Sequence, residues 1–159
     1  MQDIFRHLHV PPELACEFIA MFSRMEYALK STHYAVGNAK KVEPAWDIFA
    51  NHIDQDFLAL THPDTVDARN YLLSHPPRKQ VLQGKKLAFV DQVIDHNQAT
   101  TQQVLLMVRT IRNNLFHGGK YSPQGEQEVG RNQLLVGHGL HILRACSKLD
   151  ADVKISFEH

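Results

Sequence analysis

The chain has 159 residues, 43% hydrophobic and 21% charged, with 17 Lys and Arg set against 17 Asp and Glu and 11 His outside that balance. This composition suits one soluble globular domain with a single core, and zero formal charge excludes a protein that grips nucleic acid or membrane through bulk positive charge. A local basic patch is not excluded, and a chain at its balance point is expected to be poorly soluble near neutrality until some histidines protonate.

Cys16 and Cys146 are too few for a disulfide framework and lack metal spacing, so a reducing, cytoplasmic setting is expected. Asp3 and Arg6 interrupt the first apolar stretch, which argues against a secretory signal. Nothing approaches the ~18 uninterrupted apolar residues of a membrane span.

Residues 12–34 are predicted to be helical: Leu14, Phe18, Met21, Phe22, Met25 and Leu29 recur at steps of three and four, with Glu13, Glu17, Arg24 and Lys30 off the stripe. Pro11-Pro12 suits the entry and Gly37-Asn38 breaks the pattern. Pro44 opens a second helix to about Leu60 with Trp46, Phe49, Ile53 and Phe57 on its apolar face, and Asp64 caps a short third helix reaching Ser74. Residues 75–80 read as an extended turn, and 81–96 as either a short strand or a loop leading into helix. A long helix is predicted from about Thr100 to Phe116, stopped by His117-Gly118-Gly119. After a loop over 121–126, a last long helix runs from about Gln127 to Leu149, and the tail from Asp152 is a stray strand or a disordered end. With no repeat, low-complexity tract or linker, the expectation is one all-α domain over residues 1–159, core about 12–150. Its form would be an up-and-down bundle of four to five main helices, with a dimer interface on the last two long ones.

Charge is zero in sum and uneven in sequence. Residues 42–68 hold six carboxylates (Glu43, Asp47, Asp54, Asp56, Asp64 and Asp67) and no Lys or Arg, whereas 97–125 hold no Asp or Glu but carry Arg109, Arg112, Lys120 and His117. Ordinary surface fluctuation accounts for this; so does a cationic site suited to phosphate at the end of the long helix. At about 100° per residue, Val104, Val108, Ile111 and Leu115 form a core stripe, and Leu106, Arg109, Asn113, Phe116 and His117 a broad opposite arc. That arc is too apolar for a plain solvent face and reads as a second interface. Arg112 and His117 lie about 140° apart on an ideal helix, so a shared site requires distortion at the C-terminal end, which Gly118-Gly119 permits.

Histidine moves protons near neutrality, arginine offers a fixed charge and a fork for phosphate oxygens, and asparagine can orient either. Together His117, Arg112 and Asn113 suit cleavage of an RNA phosphodiester through its own 2′-OH without metal, Arg112 stabilising the phosphorane-like transition state. A two-fold dimer brings a second histidine, so that base and acid come from different copies. The alternative is plain: a histidine before Gly-Gly is also a reasonable helix C-cap.

Here the residues carry a resemblance. Arg112, Asn113 and His117, as R-N-x-x-x-H at the end of the penultimate long helix, resemble the signature of the HEPN superfamily, and so do the flanking runs 22–30, 71–80 and 108–120. The resemblance implies a four-to-five-helix bundle forming a homodimer with both motifs in an interface cleft. It further implies a metal-independent endoribonuclease of toxin–antitoxin, abortive-infection or other defence systems, with any antitoxin a separate protein and no cofactor. Some members are non-catalytic modules binding RNA, nucleotide or protein, and a purely structural bundle partner is the third reading.

Around the motif, Arg24 and Glu26 on the first helix can face the cleft, Glu26 orienting His117 or pairing with Arg112, or serve as salt-bridge residues. Arg109, Lys120 and Tyr121 are candidate substrate contacts: Arg109 extends the phosphate site, and Lys120 and Tyr121 touch RNA backbone or stack on a base, unless Lys120 is simply solvated. His138 and His141 lack a completing ligand set and read as core or interface residues rather than a metal site. On the same helix, Val136, Leu140 and Leu143 form a second apolar stripe that favours dimerisation. Gly137 and Gly139 suggest close approach by another helix, or a locally weak one.

Overall fold

The computed structural model describes residues 3–122, 126 and 128–159. In chain order it holds α1 (Pro12–Lys30), β1 (Ala35–Asn38), β2 (Lys41–Pro44), α2 (Trp46–Leu58), α3 (Pro63–Ser74), β3 (Lys79–Gln83), β4 (Lys86–Val90), α4 (Thr100–Phe116), α5 (Arg131–Cys146) and α6 (Ala151–Glu158). The all-α expectation is therefore corrected: the fold is mixed, with helices carrying two antiparallel two-stranded sheets, β1–β2 and β3–β4. Both hairpins are short and largely exposed, so neither shows the buried-exposed alternation by which a strand is read from sequence. Gly84 at the β3–β4 turn has φ +61°, a conformation glycine reaches without strain.

The core is helical. α5 lies against α1, α3 and α4, and α2 packs along α4. Phe18, Phe22, Met25 and Leu29 of α1 meet Val104, Val108 and Ile111 of α4 and Leu135, Ile142 and Leu143 of α5 in one cluster. α2 runs antiparallel to α4: Arg109 pairs with Asp47 at 3.7 Å, while Asp54 Oδ1 accepts the Thr101 backbone N–H at 3.0 Å and so caps the start of α4.

Three further expectations change. The stripe of Val136, Leu140 and Leu143, expected to be left for a partner, is buried in the chain's own core, so α5 offers no second apolar face there. The last long helix is Arg131–Cys146, shorter than expected, and the expected start at Gln127 lies outside the described residues. The tail is a helix: Asp150 caps α6 by accepting the Val153 N–H at 3.0 Å and also accepts the buried Tyr34 hydroxyl at 2.8 Å. Burial alone would raise the Asp150 pKa, but its hydrogen bonds from Val153, Tyr34 and Asp152 hold it below the usual carboxylate value.

The two helical glycines of α5 separate cleanly. A Cβ on Gly139 would meet the Phe18 ring at 3.0 Å, so this glycine is where α1 comes close; a Cβ on Gly137 would meet nothing within 4 Å. Gly137→Ala should therefore stabilise the chain by up to about 1 kcal/mol in urea unfolding, from helix propensity alone. Gly139→Ala should gain nothing or lose stability as Phe18 is displaced. Equal gains at both positions would contradict this packing.

Candidate functional site

α4 ends where its sequence dictates. Gly118 takes φ +80° and the Gly119 N–H reaches back to the Asn114 carbonyl, closing the helix with a six-to-one turn that leaves His117 as the capping residue. Arg112, Asn113, Phe116 and His117 occupy the last turn before it. Arg112 Nη1 donates to Asn113 Oδ1 at 2.9 Å, so the asparagine orients the guanidinium rather than the imidazole. The same guanidinium lies over two rings, 5.4 Å from the centroid of Phe22 and 5.4 Å from that of Phe116. The His117 ring meets Phe116 edge-on at 5.3 Å. Phe116, 66% exposed, is thus the common neighbour of Arg112 and His117. The His117 imidazole has no hydrogen-bond partner among the described residues and stands exposed.

A separate cavity lies beside this turn. A cleft of about 180 Å³ opens beside Asn114, Gly119 and Lys120, lined also by Arg78 at the base of the β3–β4 arm, Phe89 within it, and Arg131 and Leu135 of α5. Asn114 points into this side of α4 and donates to the Arg78 carbonyl at 2.7 Å, tying the arm to the helix. The two sites therefore share the end of α4 but use different faces of it.

The expected contact residues divide accordingly. Lys120 is not a solvated loop lysine: it is 4% exposed, its ammonium donates to Asn132 Oδ1 at 2.8 Å, and it lines the cleft. Burial above all, with Arg131 nearby, lowers its pKa to about 8, against the pull of Glu126. Residues 7–9 clamp this segment: the His9 N–H donates to the Lys120 carbonyl at 2.9 Å, and Leu8 bridges Tyr121. Tyr121 remains partly exposed. Arg109 is turned to Asp47, and Arg24 donates to the Phe157 carbonyl at the end of α6 and lies over the Phe157 ring. Glu26 makes no hydrogen bond or ion pair among the described residues, so neither expected role for it toward Arg112 or His117 is realised in this geometry. His138 meets the Tyr71 ring at a tilt of 33°, and Tyr71 in turn stacks on the His75 ring; burial, then His141, lowers the His138 pKa.

Sequence reasoning missed Asn114 and the role of Phe116 as a bridge between the two motif side chains, and it left the arm open between a short strand and a loop. The i, i+4 spacing of Arg112 and Phe116 was the available signal for the second. No group of His, Cys, Asp and Glu side chains that could hold a metal is found among the described residues, and no helix there is long and apolar enough to cross a membrane. Comparison with protein-family models, with curated proteins and with solved structures finds no match for this chain.

Proposed function

We infer that the chain is an endoribonuclease of the HEPN kind, working at the end of α4. The observation carrying this reading is that an exposed imidazole with no hydrogen-bond partner among the described residues and an asparagine-held guanidinium share one aromatic neighbour, in a stretch of sequence free of carboxylates. His117 takes the proton from the ribose 2′-OH, whose oxygen attacks the adjacent phosphorus. Arg112 meets the charge that builds on the non-bridging oxygens. The P–O5′ bond breaks, and the departing oxygen takes a proton from the second His117 of a homodimer, leaving a 2′,3′-cyclic phosphate and a 5′-hydroxyl. Exposed Phe116 is the surface on which two copies would meet, since the Val136, Leu140 and Leu143 stripe of α5 is spent internally. The setting proposed is the cytoplasm, with a toxin or defence role and an antitoxin encoded separately.

A second reading has its own support: among the described residues no carboxylate or carbonyl orients the His117 imidazole, as a tuned proton-transfer group usually requires, which favours a module that binds RNA, nucleotide or protein without cutting. The two part on one assay. Incubation with single-stranded RNA in EDTA should yield fragments ending in 2′,3′-cyclic phosphate; binding without such products would leave the second reading standing.

A further inference from the structure

The β3–β4 arm belongs to a second carboxylate-free run. From Ala68 to Val90 there is no Asp or Glu, while Arg69, Arg78, Lys79, Lys85 and Lys86 are present. Folding joins this run to the one over 97–125, because the arm is anchored on the last turns of α4 through Asn114. The acidic α2 packs along the earlier part of α4, with Asp47 on Arg109 and Asp54 at its start, and at the base of the arm Arg78 pairs with Asp91 and Glu128. Lys79, Lys85 and Lys86 are exposed, and none has a carboxylate within 4.0 Å among the described residues.

The register gives the arm two unlike faces. Leu82 pairs with Leu87 and Gln80 with Phe89, so these four share one face; Lys79, Val81, Gln83, Lys86, Ala88 and Val90 share the other. On the first face Leu82 is 74%, Leu87 64% and Phe89 40% exposed, with Phe89 reaching the rim of the cleft. Apolar side chains so open are costly in water unless something covers them. Lysines at the tip and edge beside a bare apolar and aromatic face form a surface that takes phosphates on one side and unpaired bases on the other.

We propose that the β3–β4 arm is a binding platform for single-stranded RNA, delivering the strand to the end of α4. Lys79, Lys85 and Lys86 meet backbone phosphates, and Leu82, Leu87 and Phe89 receive bases. Duplex nucleic acid offers no unstacked bases to that face, and the three lysines beside it complement a chain of phosphates. The identity of the polymer rests on the ribonuclease reading; the platform itself does not depend on cleavage.

The test is fluorescence anisotropy with a labelled single-stranded oligoribonucleotide of mixed sequence in EDTA, with every variant made on the full-length His117→Ala chain so that nothing is cut. Lys85→Glu with Lys86→Glu should weaken binding by more than about tenfold at low salt and make the log–log salt slope shallower by about 1.4, two phosphates' worth. Leu82→Ser with Phe89→Ser should weaken binding while leaving that slope unchanged. The mutated residues are exposed, and matching unfolding midpoints confirm intact folds. Unchanged affinity in both pairs overturns the proposal, as does equal affinity for a fully paired duplex. Loss of self-association with RNA binding intact overturns it in favour of a contact between copies. Arm-dependent binding by a chain that never cleaves RNA supports the platform while removing the nuclease reading, and cleavage indifferent to the arm does the reverse.

Discussion

His117→Ala should lower RNA cleavage by about 10²–10⁴-fold, the range expected when a general acid–base group is removed. His117 is exposed at the end of a helix and makes no side-chain hydrogen bond among the described residues, so the fold should survive and the unfolding midpoint should hardly move. Arg112→Ala should cost a comparable factor in rate, and Arg112→Lys should restore only part of it, because a lysine supplies charge without the planar fork that Asn113 orients. Asn113→Ala should be milder: the guanidinium stays over the Phe22 and Phe116 rings but loses its tether. Initial rates on a fixed RNA, measured in EDTA, check the series. A His117→Ala chain as active as its parent would remove the imidazole from the mechanism.

The second large effect concerns stability and pH. Lys120 is buried against Asn132 with no carboxylate within 4.0 Å among the described residues. Its folded pKa of about 8 lies below the ordinary lysine value, so between about pH 8 and 10.5 the unfolded chain holds more protons at this position than the folded one. Under that condition stability rises with pH, and the gain across the window is about 3 kcal/mol from this residue alone. Lys120→Met, which keeps most of the volume and cannot titrate, should lack the rise. At pH 7 it should match or exceed the parent, since the cost of a buried charge is gone. Urea unfolding free energies from pH 7 to 10 for both chains isolate the difference, because every other titrating group is common to them. Parallel curves would mean that Lys120 is solvated after all.

What could be read from the sequence follows from how local each signal is. α4 was legible end to end: a strong three-and-four periodicity marks its length, and Gly118-Gly119 marks its stop through backbone chemistry that acts within a few residues. The arm was legible only in part: a short strand within 81–96 was one of two readings, and its pairing with 79–83 was hidden because its apolar residues sit on a largely exposed face. α6 was missed because its eight residues bury only Val153 fully, and the contacts that hold it, Tyr34 on Asp150 and Arg24 on Phe157, each join residues more than a hundred positions apart. Lys120 was misread for the same reason: the clamp that buries it comes from residues 7–9 at the other end of the chain. In the candidate site, residue identities were legible; the partners of Arg24, Arg109 and Asn113 were not, since each depends on which element packs alongside.

The antiparallel seating of acidic α2 on α4, with the lysine-bearing arm fixed at the far end, has an electrical consequence. A chain whose charges cancel in sum still distributes them unevenly: Asp47 and Asp54 lie along α4, while Lys79, Lys85 and Lys86 stand exposed on the arm. On the platform proposed above, a polyanion would be held by those few lysines and not by the charge of the whole chain. That attraction persists only within a Debye length, ~8 Å at physiological ionic strength. Such a molecule holds its ligand at short range, without drawing ligands from a distance.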